Sequence, residues 1–244
     1  MKVFGLIGYP LSHSFSKKYF TEKFKREKLT DCRYELFPIA SINELKSVLH
    51  DNPALEGLNV TIPYKEQVLP FLDDANEVVQ KIKACNCITI RNGKLKGYNT
   101  DVTGFERSLK EKLQPYHKKA LILGAGGAAK AVEFVLKKLG IDFTYVSRKP
   151  SIHSYSYEQL TPGIISANSL IINTTPLGMY PLVNEAPPIP YDALTPQHYL
   201  FDLVYNPEKS LFLQKGDLRG ATIRNGHEML VIQADESWRI WQEE

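Results

Sequence analysis

Apolar positions along this chain recur with two alternating periods. Lys2 to Gly8 is a short, nearly continuous apolar run and predicts a strand. From Ser14 to Lys28, Phe15, Tyr19, Phe20 and Phe24 fall near helical spacing and predict a helix. Arg33 to Pro38 reads as a second strand. Ser41-Ile42-Asn43-Glu44 has the capping-box form that opens another helix. Gly57 to Pro63 predicts a third strand, and Tyr64 to Leu72 a helical stretch. Asn86 to Arg91 and Lys94 to Tyr98 flank Asn92-Gly93, a strong short-range hairpin signal. The first hundred residues therefore read as an α/β unit whose sheet gains an antiparallel edge.

The second half repeats the alternation. Asp101 to Leu113 predicts a polar helix, Ala120 to Leu123 a buried strand, Gly124 to Gly140 a turn and helix, and Asp142 to Ser147 a strand. Leu170 to Asn173 and Tyr199 to Val204 are further apolar strands, separated by a proline-rich loop from Pro176 to Pro190. Glu228 to Trp241 predicts a last helix. The expected fold class is α/β. Residues 1–101 form an N-terminal α/β domain, residues 102–225 a Rossmann-type dinucleotide-binding domain, and residues 226–244 a C-terminal helix returning to the first domain.

Composition narrows the class. The chain has 244 residues, 43% hydrophobic and 23% charged, as expected for a soluble globular protein. A net charge of +3 is too small to suggest nucleic acid or an anionic membrane as a partner. The apolar stretch at Met1 to Gly8 runs straight into Tyr9-Pro10, so no targeting segment is expected, and no apolar run reaches membrane-spanning length. The three cysteines, Cys32, Cys85 and Cys87, read as reduced thiols of a cytoplasmic protein. Cys85-x-Cys87 lacks the spacing of a redox or zinc motif, so no metal site is expected.

Candidate chemistry starts at the glycine turn. Lys119-Ala120-Leu121-Ile122-Leu123 leads into Gly124-Ala125-Gly126-Gly127-Ala128-Ala129, a G-x-G-x-x-A pattern between a strand and a helix. Gly124 permits the tight turn, Gly126 lets a pyrophosphate approach the backbone, and Ala129 lets the helix pack on the strand. The helix-start N–H groups then face the phosphates. The next strand ends in Ser147-Arg148-Lys149, where an NAD site expects an acidic residue. Two cations and a hydroxyl suit the 2′-phosphate of NADP.

Hydride transfer to a carbonyl also needs a proton donor. Two Tyr-x-x-x-Lys matches exist, Tyr19 with Lys23 and Tyr145 with Lys149. The first precedes the glycine turn and the second lies on a strand and its exit, so both read as chance. The first domain offers more. Asn59 and Thr61 share one strand face and can point into the same cleft. Lys65 follows on the first helical turn, Asn86 begins the hairpin, and Asn99-Thr100-Asp101 closes it. Amides, hydroxyls, a lysine and a carboxylate at strand ends suit a substrate bearing several hydroxyls.

These motifs together resemble the shikimate dehydrogenase family over almost the whole chain. Gly8 to Ser16 is similar to its G-x-P-x-x-H-S-x-S, Asn59 to Lys65 to its N-V-T-x-P-x-K, and Asn99-Thr100-Asp101 to its N-T-D. Asn173 to Met179 is similar to its N-x-T-P-x-G-M, and Asp202 to Pro207 to its D-x-x-Y-x-P. The resemblance implies reduction of 3-dehydroshikimate to shikimate with NADPH, in aromatic amino-acid biosynthesis. It implies Lys65 as the acid–base, paired with Asp101. Ser14 and Ser16 would bind the substrate carboxylate; Thr61, Asn86, Asp101, Tyr205 and Gln233 would hold ring hydroxyls. Gly124, Ala125, Gly126, Gly127, Ala128, Ser147, Arg148 and Lys149 would hold the cofactor, with Glu77, Leu203, Gly226 and the loop from Thr174 to Met179 near it. The expected partners are these small molecules, and the expected assembly is a monomer or homodimer.

The chain also departs from the family pattern. Lys17-Lys18-Tyr19-Phe20 replaces a segment with proline and His-Asn, Cys87 stands for threonine in A-V-N-T, and Gly226-His227-Glu228-Met229 stands for G-L-G-M. The last of these suggests a charge near the nicotinamide. These departures bear on substrate preference, and a quinate or aminoshikimate dehydrogenase is the enzymatic alternative. A non-catalytic NADP-sensing protein is the other; retention of Lys65 and Asp101 argues against it.

Overall fold

A computed structural model describes residues 1–11, 14–149 and 154–243. The chain divides into two compact units, Met1–Thr100 with Ala234–Glu244, and Asp101–Gln233. Residues 226–233 thus group with the second unit, so only the distal part of the expected 226–244 segment belongs with the first.

The first unit contains strands β1 (Lys2–Gly8), β2 (Cys32–Pro38), β3 (Leu55–Val60), β4 (Asp74–Ala75), β5 (Cys87–Arg91) and β6 (Lys94–Tyr98), in the order β2-β1-β3-β5-β6-β4. Its helices are α1 (Phe15–Arg26), α2 (Leu45–Asp51) and α3 (Glu77–Ile82). β1 is apolar on both sides because both sides are covered. Val3 and Ile7 join Leu45, Leu58, Val79 and Ile88 in one core. Phe4 and Leu6 join Phe20, Tyr34 and Trp241 in another. Trp241 stacks on Phe4 at 4.9 Å between ring centroids. Its indole nitrogen donates to the Ile88 carbonyl at 3.0 Å, which ties the C-terminal residues into this unit.

Four expectations are revised here. The hairpin forms, with Asn92 (φ 52°) and Gly93 (φ 74°) both in the left-handed region that its tight turn needs. However, β5 pairs antiparallel with both β3 and β6, so the reversed strand lies inside the sheet rather than at its edge. The third strand stops at Val60, before Thr61-Ile62-Pro63. Tyr64 to Leu72 is not a regular helix but a run of turns ending in a single 3-10 turn, Leu69–Phe71. Tyr64 and Val68 keep helical spacing, and the Val68 N–H bonds the Tyr64 carbonyl at 3.0 Å. Pro70 has no N–H with which to continue the ladder. The Ser41 capping box is present, but it heads a 3-10 turn, Ile42–Glu44, that leads into α2.

The second unit contains α4 (Asp101–Lys110), β7 (Lys119–Leu123), α5 (Gly127–Lys138), β8 (Asp142–Val146), β9 (Ser154–Tyr155), α6 (Pro162–Ala167), β10 (Leu170–Asn173), β11 (Tyr199–Asp202), α7 (Leu211–Asp217) and β12 (Thr222–Arg224). α8 (His227–Glu243) starts in it. The strand order is β12-β11-β10-β7-β8-β9, and every neighbouring pair is parallel. The chain leaves β7 in one direction through β8 and β9, then returns to place β10 on the opposite side. The order reverses between β7 and β10, where Leu123 and Asn173 are register partners. Crevices at the carboxyl ends of strands at such a reversal receive ligands in open α/β sheets. No helix among the described residues is long and apolar enough to cross a membrane.

Candidate active site

At the reversal point, Gly124 has φ +100°, and a Cβ built there would lie 2.8 Å from Thr174 Oγ1. The Gly124 N–H bonds the Val146 carbonyl at 2.8 Å, so the tight turn is part of the sheet end. Gly126 differs. It is the N-cap of α5 with φ −83°, ordinary for any residue, and a Cβ there would meet no atom within 4 Å. Protein packing therefore does not require glycine at 126; the space in front of it is open. No side chain caps α5, and its first turn has no carboxylate, so the helix start is left to an anion. Ala129, only 1% exposed, packs the helix down as its small size allows. Beyond β8, Arg148 and Lys149 are exposed. Ser147 donates its hydroxyl to the Lys149 carbonyl at 2.8 Å, which shapes this basic turn while leaving the oxygen able to accept. These residues fit the pyrophosphate and 2′-phosphate of NADP.

The neighbouring strand ends are built around a carboxylate to which the sequence reading gave no role. Asp202 is fully buried at the end of β11. Its Oδ1 accepts from Asn173 Nδ2 at 2.9 Å and from the Val204 N–H at 3.0 Å, and its Oδ2 accepts from the Ser210 hydroxyl. Burial pushes this carboxyl up to about 6, against the opposing pull of those donors. Asn173 also accepts from the backbone and hydroxyl of Thr175, at 3.0 and 2.7 Å. The pair thus fixes the start of the Thr174 to Met179 loop and the segment from Leu203 to Tyr205. A polar residue ending each of two buried apolar strands was the signal available in the sequence. Gly226 has a local reason to be glycine: a Cβ there would lie 2.2 Å from the Leu203 carbonyl oxygen. Tyr205 is half-buried, which raises its hydroxyl pKa. Gln233 donates to the Leu230 carbonyl at 3.0 Å. Asp101 is buried at the start of α4, where a carboxylate complements the helix dipole. Glu228 is held by Arg224, which also bonds Ser108 and Glu111, so the expected stray charge at this position is neutralised within an ion-pair cluster.

In the first unit, Ser14 is the N-cap residue of α1, yet its hydroxyl caps nothing. That oxygen is buried with no hydrogen-bond partner, and the first turn of α1 has no acidic residue. A buried unpaired hydroxyl in a native site calls for a ligand. Ser12 and His13 of the same motif lie outside the described residues. Thr61 follows β3, with its N–H on the Ile7 carbonyl at 3.0 Å. A Cβ on Gly8 would lie 2.4 Å from the Thr61 methyl, so Gly8 makes room for this side chain. The Lys65 carbonyl accepts from the Cys85 N–H at 2.8 Å, which anchors the lysine segment beside the one carrying Asn86. Asn86 is buried against Thr100, whose N–H donates to its Oδ1 at 2.7 Å.

Two residues of this unit bond within it. One is Asn59. It is buried; its oxygen accepts from the Tyr34 hydroxyl, and its amide donates to Ser237 and to the Asn86 carbonyl. Tyr34 and Ser237 were invisible as site residues because only the tertiary fold brings them to Asn59. Glu77 lies at the exposed start of α3 and pairs with Lys81 at 2.5 Å, which lowers its pKa.

Comparison with known proteins agrees with these features. Residues 6–88 match the family described as "Shikimate dehydrogenase substrate binding domain". The shikimate dehydrogenase (NADP(+)) of Clostridium beijerinckii is 39% identical over 256 residues, covering 100% of this chain and 93% of its own. The shikimate 5-dehydrogenase of Thermus thermophilus, solved in complex with NADP(H) and shikimate, superposes with a TM-score of 0.87 at 29% identity, covering 99% of this chain and 93% of its own. The quinate dehydrogenase of Corynebacterium glutamicum, solved with NAD, has a TM-score of 0.88 at 26% identity, covering 98% and 93%. With near-full-length identity at this level and the same ordered motifs, the chain belongs to the shikimate dehydrogenase family.

Proposed function

We propose that this protein catalyses the reversible, NADPH-dependent reduction of 3-dehydroshikimate to shikimate. The observation that carries the reading is the buried, unpaired Ser14 hydroxyl at an uncapped helix start. Such a group suits a carboxylate-bearing substrate, because a helix N-terminus and a hydroxyl donor stabilise an anion without a further cation. The open face at Gly126 and the basic Ser147-Arg148-Lys149 turn support NADP as the cofactor.

Bound NADPH supplies the hydride. Lys65, with Asp101 as its carboxylate partner, transfers the proton to the carbonyl oxygen. Ser14 and Ser16 hold the ring carboxylate, while Thr61, Asn86, Tyr205 and Gln233 orient the ring hydroxyls. Gly124 to Ala128 receive the pyrophosphate, and Ser147, Arg148 and Lys149 the 2′-phosphate. Glu77, Leu203 and Gly226 are assigned to the cofactor's surroundings. The reading expects a cytoplasmic monomer or homodimer.

The test follows NADP reduction with shikimate, then with quinate, then with NAD replacing NADP. Turnover should be greatest with shikimate and NADP. Preference for quinate with NAD would instead assign the quinate branch, and absence of turnover with every pair would support a binding protein.

A further inference from the structure

The first unit holds a hydrogen-bonded chain of side chains drawn from distant parts of the sequence. Tyr34 Oη donates to Asn59 Oδ1 at 2.8 Å. Asn59 Nδ2 donates to Ser237 Oγ at 3.0 Å and to the Asn86 carbonyl at 3.2 Å. Ser237 Oγ and Thr100 Oγ1 are 3.2 Å apart. Asn86 Nδ2 donates to Thr100 Oγ1 at 3.0 Å, and the Thr100 N–H returns to Asn86 Oδ1 at 2.7 Å. Relative exposure is 2% for Tyr34, 4% for Asn59, 3% for Asn86, 1% for Thr100 and 0% for Ser237. Satisfied buried networks of this kind impose one geometry, because any alternative leaves a polar group unpaired.

The bonding pattern fixes the orientation of Asn86. A backbone N–H only donates, so the atom facing Thr100 N has to be the amide oxygen. That oxygen is occupied by Thr100, and one amide hydrogen goes to the Thr100 hydroxyl. What Asn86 still presents to a ligand is its second N–H. The Thr100 hydroxyl also lies 3.3 Å from Asn86 Oδ1, and its contact with Ser237 on the C-terminal helix favours the rotor that accepts from the amide.

We propose that Ser237 is a positioning residue for Asn86: through Thr100 it locks the amide so that Asn86 acts as a hydrogen-bond donor toward a substrate oxygen. The network makes the C-terminal helix a determinant of substrate recognition, although its serine touches no ligand. The proposal rests on the reading of Asn86 as a substrate ligand.

The test is a double-mutant cycle in the full-length protein, with Ser237→Ala, Asn86→Ala and the pair, reading KM for shikimate, KM for NADP and kcat. Ser237→Ala should raise KM for shikimate about fivefold or more, with KM for NADP unchanged and kcat within about twofold. In the Asn86→Ala background the Ser237→Ala effect should vanish, since the group being positioned is gone. An undiminished Ser237 effect in that background, or no effect of Ser237→Ala alone, overturns the proposal. If Asn86→Ala itself leaves KM unchanged, it is the assignment of Asn86 as a ligand that fails. Should Ser237→Ala not fold, Thr100→Val removes the hydroxyl that links Ser237 to Asn86 at nearly constant volume and runs through the same cycle with the same expectations.

Discussion

Replacing Gly126 with alanine separates a glycine kept for a ligand from one kept for the fold. At Gly126 the backbone (φ −83°, ψ −177°) suits alanine, and the new methyl meets no protein atom within 4 Å. Two small terms then act on stability. Restricting the unfolded chain stabilises by about 0.4–1 kcal/mol, and alanine is a poorer N-cap than glycine by roughly 0.5–1 kcal/mol. They nearly cancel, so Tm without ligand should move by no more than about 2 °C. Binding should respond differently. On the proposed cofactor reading the methyl would stand where the pyrophosphate comes against the backbone, and losing one charge-assisted hydrogen bond would weaken binding by about 1.5–3 kcal/mol, or tenfold to a hundredfold in Kd. Gly124→Ala is the contrast. Its φ of +100° and a 2.8 Å contact with Thr174 Oγ1 act on the fold itself, at about 1–2 kcal/mol for the dihedral alone. Thermal melts without ligand and NADPH fluorescence titrations of both variants decide the matter. A Gly126→Ala protein that binds NADPH within twofold of the parent, or that melts as low as Gly124→Ala, would refute the reasoning.

Three further outcomes are expected. Lys65→Ala should lower kcat about a hundredfold to ten-thousandfold with shikimate still bound, as loss of a general acid–base does; near-normal turnover would remove Lys65 from the mechanism. Arg148→Ala should weaken NADP about tenfold or more while NAD changes little, and equal losses for both cofactors in calorimetric titration would reduce Arg148 to a structural role. Asp202 has a folded pKa raised from 3.8 to about 6, so between these values the unfolded chain releases a proton that the folded one keeps. Stability through this group is fully present below pH 3.8 and is lost as pH rises through 6, by about 3 kcal/mol in all. Urea melts across that window should show this loss diminished in Asp202→Asn, and an unaltered pH slope would count against it.

Local backbone rules determined what was legible in the sequence. The positive φ at Gly124, the small Ala129 and the hairpin at Asn92-Gly93 are short-range demands that few residues meet, and each appears in the chain as a spacing. The long apolar strands are equally visible, because strands covered on both faces carry almost no polar residues. The basic Ser147-Arg148-Lys149 turn follows once its strand is placed. Short elements such as β4, β9, β12 and α6 were not legible, since a few residues hold no periodicity. Tyr64 to Leu72 has helical spacing, yet Pro70 withholds a donor and the segment folds as turns. Only tertiary structure decided which polar residues are buried together. Asn59 and Ser237 are 178 positions apart, and Arg224 gathers Ser108, Glu111 and Glu228 from different elements. A buried polar side chain is stable only beside a partner, and that partner is selected by three-dimensional packing rather than by distance along the chain.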